Sequence, residues 1–273
     1  MLLDVTGRTG ESASVLATGP LVRALCARRH SVGADGVLFV QKSATADFRL
    51  VYYNSDGREA ALCGNGTRCA AQYAFEHGIA PACMSIQSGA GLVGATVAKS
   101  GVELTMGRPR GFRPDVTVRT ASGLVKGDFV NTGVPHFVTA PANWRRLDVN
   151  GLGREVRRHR VFGRSGANVN FVRVLPGGSV QIRTFERGVE AETLACGTGA
   201  VAAAVCLAKR GLVKSPVLLS TRGGDTLRVR FEDPSNPLSM PLLHGPAEVV
   251  YEGDIGWSTL RAVTRKLARA RNR

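Results

Sequence analysis

The feature that most constrains this fold is a motif that occurs twice, once in each half of the chain. The sequence Cys-Gly-Asn-Gly begins at Cys63, and Cys-Gly-Thr-Gly begins at Cys196. Each copy follows an acidic turn and precedes a run of small, helix-compatible residues. The two cysteines are 133 residues apart in a chain of 273. A repeat at half the chain length predicts two pseudo-equivalent domains, each containing one copy of the motif.

The pattern of elements predicts an α+β fold with many short strands. Two helices are expected, at 64–77 before Gly78 and at 197–210 before Gly211, where glycine is typical of a helix end. One long helix among many strands in each half is typical of an α+β architecture. The predicted strands are 37–40, 48–53, 92–97, 102–105, 129–131, 169–174, 180–185, 227–231 and 248–251.

A domain boundary is expected near the glycine- and proline-rich run 107–114. The predicted N-terminal domain is therefore 1–113, joined by a returning C-terminal strand at about 249–256. The C-terminal domain is 114–248, and a basic tail occupies 257–273.

The charge of the chain first indicates a nucleic-acid partner, because its formal net charge is +15. The last seventeen residues carry six basic and no acidic residues, and the rest of the excess is spread along the chain. No RNP, helix-turn-helix or zinc-finger signature is present. We expect a solvated basic tail and no nucleic-acid partner, with a binding patch as the alternative.

Membrane, secreted and metal-binding classes also fit poorly. The most apolar uncharged run, 193–208, has sixteen residues and is interrupted by glycine, and the N-terminus lacks a signal-peptide pattern. Six cysteines without a tight framework are typical of reduced thiols, and none has zinc-ligand spacing. We expect a cytoplasmic protein with no membrane partner and no metal.

A cysteine immediately before a helix is a candidate base. The positive end of the helix dipole favours thiolate over thiol, and adjacent glycines let a carboxylate approach the backbone N–H groups. Two such turns could place one sulfur on each face of a single carbon, which is what inversion of an α-carbon requires without a cofactor. The alternative for any single cysteine is packing, and we assign that role to Cys26, Cys69, Cys83 and Cys206.

Seven motifs lie along nearly the whole chain, at 33–36, 54–57, 63–69, 131–136, 166–170, 186–188 and 195–199. Together they give the chain a close resemblance to the diaminopimelate epimerase family. The resemblance implies two similar domains, each a β-barrel-like sheet around a central helix, with the active site in a cleft between them. It implies cofactor-independent epimerisation of LL-diaminopimelate to meso-diaminopimelate in lysine and peptidoglycan-precursor biosynthesis.

The resemblance also implies residue roles. The acid/base thiols are expected at Cys63 and Cys196, with His136 supporting their protonation. Arg187 is expected to pair with the distal carboxylate and Glu186 with an amino group. The expected substrate-binding set is Asn54, Gly64, Asn65, Asn168, Glu186, Arg187, Gly197 and Thr198.

Three departures from the family pattern accompany the match. A Gly-Asn-Asp-Phe segment expected before Met1 is missing, which predicts either residues upstream or an impaired copy. The loop 187–193 is one residue longer than the commonest form. Val134 stands where some branches have a substrate-binding asparagine, so Asn131 is expected to replace it.

Rival functions include a thiol redox enzyme, which usually has Cys-x-x-Cys. Proline or hydroxyproline racemases and phenazine-biosynthesis isomerases of the same fold are the closer alternatives, and Arg187, Asn54 and Asn168 argue against a proline site. The expected partner is the small-molecule substrate. A homodimer is left open.

Overall fold

A computed structural model of the chain describes residues 1–7 and 18–256. It divides into two compact units, one made of Met1–Lys99 with the chain from Ala247 onward, the other of Ser100–Pro246. The predicted basic tail at 257–273 lies outside the described residues. Within the described part of the chain, no helix is long and apolar enough to cross a bilayer.

The described residues of the first unit form six strands and two helices. Strand β1 pairs in parallel with β2, β2 is antiparallel to β3, β3 is parallel to β5, and β5 is antiparallel to β6. The short strand β4 adds to β3. The elements are β1 (Leu2–Asp4), α1 (Gly19–Cys26), β2 (Gly36–Gln41), β3 (Phe48–Asn54), β4 (Glu59–Ala60), α2 (Gly64–Glu76), β5 (Cys83–Ser88) and β6 (Gly91–Ala98).

The second unit begins with a strand that pairs with its last strand. It contains β7 (Gly101–Thr105), β8 (Arg110–Thr120), β9 (Gly123–Asn131), β10 (Pro135–Thr139), α3 (Val149–Arg157), a 3₁₀ turn (Arg160–Phe162), β11 (Asn168–Val174), β12 (Val180–Glu186), β13 (Ala191–Thr193), α4 (Gly197–Lys209), β14 (Val217–Ser220), β15 (Thr226–Phe231) and β16 (Pro241–Gly245). Strands β8 and β9 form a long hairpin, and β16 is antiparallel to β7.

The two units repeat one topology. In the second unit β10 is parallel to β11, β11 antiparallel to β12, β12 parallel to β14 and β14 antiparallel to β15, while β13 adds to β12. This order reproduces that of β1 to β6, with α1 matched by α3 and α2 by α4. The predicted duplication and the α+β fold class are therefore confirmed.

The helix after each motif lies against several strands of its own unit. Helix α4 packs on β9 to β12, β15 and β16, and its core-facing residues are almost all alanine, glycine or valine. Small side chains let strands approach a helix from several sides, which is how a sheet can enclose one. Helix α2 packs on β2, β3 and β6 through Ala70, Ala71 and Ala74. Both helices match the prediction to within one residue at their C-terminal ends.

Each unit has a hydrophobic cluster in which a short helix packs on its strands. In the first unit Leu21, Val22 and Leu25 of α1 pack with Val37 and Phe39 of β2. In the second unit α3 packs on Phe137, Phe171 and Phe185, all of which are fully buried. Helices α1 and α3 were not among the two predicted helices, because both are short and their glycine and proline content obscures the helical pattern.

The unit boundary differs from the predicted one at residue 113. Strand β7 belongs to the second unit because it pairs with β16, so the division falls between Lys99 and Ser100. The glycine- and proline-rich run interpreted as a linker lies at the start of β8, where two register shifts absorb Pro114 and the positive φ of Asp115.

The returning strand predicted at 249–256 is not formed. Residues 246–256 have no helix or strand, and Val250 is 88% exposed. A strand needs a partner for its backbone N–H and C=O groups, and sequence alternation cannot supply one. The segment does rejoin the first unit, where Glu252 Oε1 lies 3.0 Å from His77 Nε2 and Ile255 packs on the cluster that contains Phe39.

Candidate active site

The two motif cysteines have the same backbone conformation. Cys63 is the N-cap of α2 with φ −129° and ψ 108°, and Cys196 is the N-cap of α4 with φ −127° and ψ 109°. The first helical hydrogen bonds are donated by Thr67 to the Cys63 carbonyl at 2.8 Å and by Ala200 to the Cys196 carbonyl at 2.9 Å. The backbone N–H groups of the two residues after each cysteine lie in the first turn of the helix, before its hydrogen bonds begin. Each turn therefore offers N–H donors and a helix dipole to an anion beside the sulfur.

The third residue of each helix is glycine, and a side chain from a neighbouring strand lies close to it. A Cβ at Gly66 would lie 2.9 Å from Cδ2 of Leu38 on β2. At Gly199 a Cβ would overlap the side-chain oxygen of Asn170 on β11 and would lie 3.2 Å from Cys196 Sγ. Leu38 and Asn170 thus occupy the same place in the two repeats, beneath the start of the helix.

The first turn is backed by a buried arginine. Its guanidinium donates to Asn65 Oδ1 at 3.1 Å and to the Gly64 carbonyl at 3.5 Å, and Arg68 is only 5% exposed. The Cys63 sulfur accepts a hydrogen bond from the Gly66 N–H at 3.4 Å. Arg68 therefore orients Asn65, whose backbone N–H lies in the first turn of α2.

The second turn is backed by a chain of buried polar groups. Cys196 Sγ lies 3.5 Å from Thr198 Oγ1, which lies 3.0 Å from His136 Nε2. His136 Nδ1 lies 3.0 Å from the side-chain amide nitrogen of Asn170, and Asn170 Oδ1 accepts from Thr184 Oγ1 at 3.0 Å. Burial, aided by the charge of Arg187, lowers the pKa of His136 to about 3. The imidazole is neutral at physiological pH and cannot act as a charged acid there.

Asn168 organises the loop that follows β12. Its Oδ1 accepts the Arg187 backbone N–H at 2.8 Å, and its Nδ2 donates to the Pro135 carbonyl at 3.1 Å. Burial raises the pKa of the neighbouring Glu186 carboxyl. The amide of Asn168 is thus partly committed within the protein, and the loop position of Arg187 depends on it.

The long loop is closed by Glu190, which has a positive φ of 59°. Its carboxylate binds Arg157 at 2.7 Å and Arg158 at 3.2 Å, and it accepts the Gly188 N–H at 3.2 Å. Burial opposes ionisation of Glu190, but the bonds from Gly188 and Arg157 outweigh it and lower the pKa of the carboxyl. Helix α3 therefore anchors the segment that carries Arg187.

The predicted residues are divided between the units. The first carries Asn54, Cys63, Gly64 and Asn65, and the second carries the other members of the set. Asn54 is exposed at the end of β3, the strand position that Glu186 occupies in β12. Asn131, the expected replacement ligand, accepts the Gly133 N–H at 3.0 Å.

The remaining cysteines differ from one another in burial. Cys26 and Cys206 are buried, as the packing assignment predicts, and burial raises the pKa of both thiols. Cys69 and Cys83 are exposed, so the packing assignment is wrong for them. Among residues 1–7 and 18–256 there is no cluster of side chains suited to a metal ion.

Comparison with known proteins identifies the family. The sequence model described as diaminopimelate epimerase matches residues 10–111 and 129–249. The chain belongs to the diaminopimelate epimerase family. A diaminopimelate epimerase of Hydrogenobaculum sp. (strain Y04AAS1) is 39% identical, with 89% of this chain and 88% of that protein covered. Another from Aquifex aeolicus is 40% identical, with 88% and 86% covered.

Solved structures of more distant proteins share the fold. A probable proline racemase from Agrobacterium radiobacter K84 has a TM-score of 0.68 at 18% identity, covering 88% of this chain and 81% of that one. A phenazine biosynthesis protein of the PhzF family from Bacillus anthracis has a TM-score of 0.68 at 16% identity, covering 93% and 92%. These likenesses concern architecture alone.

Sequence reasoning missed three residues that contact the predicted site residues or their loop. Arg68 lies in the motif 63–69 and Asn170 in the motif 166–170, but the sequence assigns neither a role. Glu190 lies in the loop 187–193, for which the sequence indicated only an unusual length. A buried polar residue at a strand position expected to be apolar is the signal for Asn170. No local signal identifies Glu190, because its arginine partners are more than thirty residues away.

Proposed function

We propose that this protein epimerises LL-diaminopimelate to meso-diaminopimelate by a two-base mechanism that uses Cys63 and Cys196 and no cofactor. The observation that carries the proposal is the pair of helix starts with matching backbone angles in a member of this family. The proposed setting is the cytoplasm, as one step of lysine biosynthesis. The same product would serve as a peptidoglycan precursor.

The chemistry requires one thiolate and one thiol at the same time. The thiolate removes the α-proton, and the electron pair left on carbon is delocalised into the α-carboxylate. The other thiol then donates its proton to the opposite face, so the configuration inverts and each sulfur ends in the other's initial state. Neither atoms nor electrons are exchanged with a further reagent.

The α-carboxylate is proposed to bind the backbone N–H groups at the two helix starts. These belong to Gly64, Asn65, Gly197 and Thr198, which precede the first helical hydrogen bonds. Negative charge grows on this carboxylate as the proton leaves, so fixed donors and helix dipoles stabilise the transition state more than the ground state.

The far end of the substrate is proposed to bind the loop after β12 and the end of β3. Arg187 would pair in a bidentate manner with the distal carboxylate, while Glu186 would accept from an ammonium group. Asn54 is proposed to bind substrate directly. Asn168 would use its second amide N–H for substrate while its oxygen holds the Arg187 backbone.

Solvent isotope incorporation tests this proposal. LL-diaminopimelate incubated with the enzyme in deuterated water should gain deuterium at one α-carbon as meso product forms, since the incoming proton comes from an exchangeable thiol. L-Proline under the same conditions should gain none. Product without solvent deuterium would exclude the two-base mechanism, and deuterated proline would favour a racemase of the related fold.

A further inference from the structure

The buried polar chain behind Cys196 has a definite direction. The Asn170 side-chain nitrogen lies 3.2 Å from the Phe137 carbonyl oxygen and 3.0 Å from His136 Nδ1. A carbonyl can only accept, so the amide nitrogen, not the oxygen, faces both groups. The amide oxygen on the other side accepts from Thr184 Oγ1 at 3.0 Å. Both amide hydrogens of Asn170 are therefore donated, one of them to the histidine.

This donation sets the tautomer of the histidine. Because Nδ1 of the neutral ring accepts, its single proton resides on Nε2. Nε2 then donates to Thr198 Oγ1 at 3.0 Å, which leaves the hydroxyl proton directed to another acceptor. Cys196 Sγ, 3.5 Å from that hydroxyl, is the acceptor in place. Each bond in the chain fixes the direction of the next.

We propose that Asn170 is a positioning residue that acts through His136 and Thr198 to hold a hydroxyl donor on Cys196, so that this sulfur is the resting thiolate of the pair. The inference rests on the proposed function for the role of Cys196 as a base. A hydrogen bond donated to the charged form of a group favours that form. Asn170 itself does not touch the sulfur.

The first repeat shows that the fold does not require an amide at this place. Leu38 occupies the equivalent position beneath Gly66, and its contact there is apolar. A buried amide is retained in the second repeat although an apolar side chain suits the same backbone. A role in the chemistry of Cys196 accounts for that retention.

The charged groups around the chain are few and mostly paired. Arg187, on the loop after β12, acts on His136, and Glu186 ends β12 itself. On β9, Asp128 is bound by Arg210 of α4 at 2.6 Å. Arg183 of β12 is bound to Glu192 at 2.7 and 2.8 Å. A change in the acidity of the Cys196 thiol in an Asn170 variant is therefore assigned to the loss of the amide, provided that these ion pairs remain formed.

Alkylation of individual cysteines by iodoacetamide as a function of pH tests the proposal in the full-length protein. Mass spectrometry of the peptides that contain Cys196 and Cys63 gives a rate profile for each thiol in one sample. Asn170→Leu should move the Cys196 midpoint upward by about one pH unit and leave Cys63 unchanged. Thr139→Val, which deletes a buried hydroxyl bonded to the Lys126 carbonyl on the same sheet, is the matched control and should move neither midpoint.

A second pair of variants decides the matter if Asn170→Leu does not fold. Thr198→Val removes the hydroxyl and should raise the Cys196 midpoint by a similar amount, whereas Thr198→Ser should keep it near the wild-type value. Equal midpoints for the valine and serine variants, or parallel shifts of both cysteines in Asn170→Leu, would overturn the proposal. These profiles need no substrate, so they remain readable if diaminopimelate proves not to be turned over.

Discussion

The two cysteine turns have matching backbones and different surroundings. Their N-cap angles agree to within a few degrees, yet Leu38 lies beneath one helix start and Asn170 beneath the other. The first turn has a buried arginine at the position that Val201 occupies in the second. The two repeats thus share the backbone conformation of the helix start. The side chains behind the two turns differ, so the two thiols have different neighbours although the two helix starts are alike.

The largest expected effect comes from removing either sulfur. Cys63→Ser and Cys196→Ser should each reduce deuterium incorporation and epimerisation by at least about 10²-fold, because a hydroxyl is a far weaker base than a thiolate at neutral pH. Cys69→Ser and Cys83→Ser, at exposed positions, are the controls and should retain most activity. If either motif variant kept more than a few per cent of the rate, that cysteine would not be an acid/base group.

Substitution of Leu38, the residue beneath the start of α2, tests the difference between the two repeats through protein stability. Leu38→Asn should lower the free energy of unfolding by about 3 kcal/mol, since it removes a buried hydrophobic side chain and buries an amide where the described residues of β1 offer no histidine partner. Thermal or urea unfolding measures this. The matched substitution in the second repeat, Asn170→Leu, should cost less, and a larger cost there would contradict the view that the fold tolerates an apolar residue at both places.

A smaller effect is expected at the loop found in the second repeat. Glu190→Gln weakens the bonds to Arg157 and Arg158 that position Arg187, so the KM for diaminopimelate should rise about tenfold with a lesser change in kcat. Steady-state kinetics resolves the two. Glu155→Gln, at an α3 carboxylate that accepts the Ala121 backbone N–H and does not touch the loop, should leave KM unchanged. A fall in kcat at constant KM would place the loop in the chemical step instead of in binding.

The smallest expected effect is at β7, the first strand of the second unit. Arg230 binds Glu103 of β7 with two hydrogen bonds, at 2.9 and 2.6 Å, and these lower the pKa of that carboxyl. The resulting stability is present above the unfolded pKa of about 4.3 and is lost as pH falls through the lower folded value. Because Arg230 is half exposed, Glu103→Gln should cost about 1 kcal/mol or less at neutral pH. The difference from wild type should vanish in acid, and a difference that persisted there would mean packing, not charge, is responsible.

Much of the fold followed from local patterns. The repeat, the two motif helices and most predicted strands needed only residue spacing and helix-end signals, since capping and strand alternation act within a few residues. The linker at 107–114 was misread because Pro114 and Gly111 suggest a break, whereas register shifts let β8 continue through them. The strand predicted at 249–256 is wrong for the opposite reason. Its sequence is strand-like, but no strand in the described part of the chain pairs with it.

The sequence by itself determined that the chain is duplicated and that each half presents a thiol at a helix start, because a cap and its glycines are set by neighbours in the chain. Only the tertiary structure decided what lies behind each thiol. Asn170 reaches His136 because β10 and β11 pair in parallel with a fixed register, and Glu190 reaches α3 across a similar distance in sequence. Contacts between residues so far apart in the chain depend on strand register and helix packing, and a local pattern contains neither.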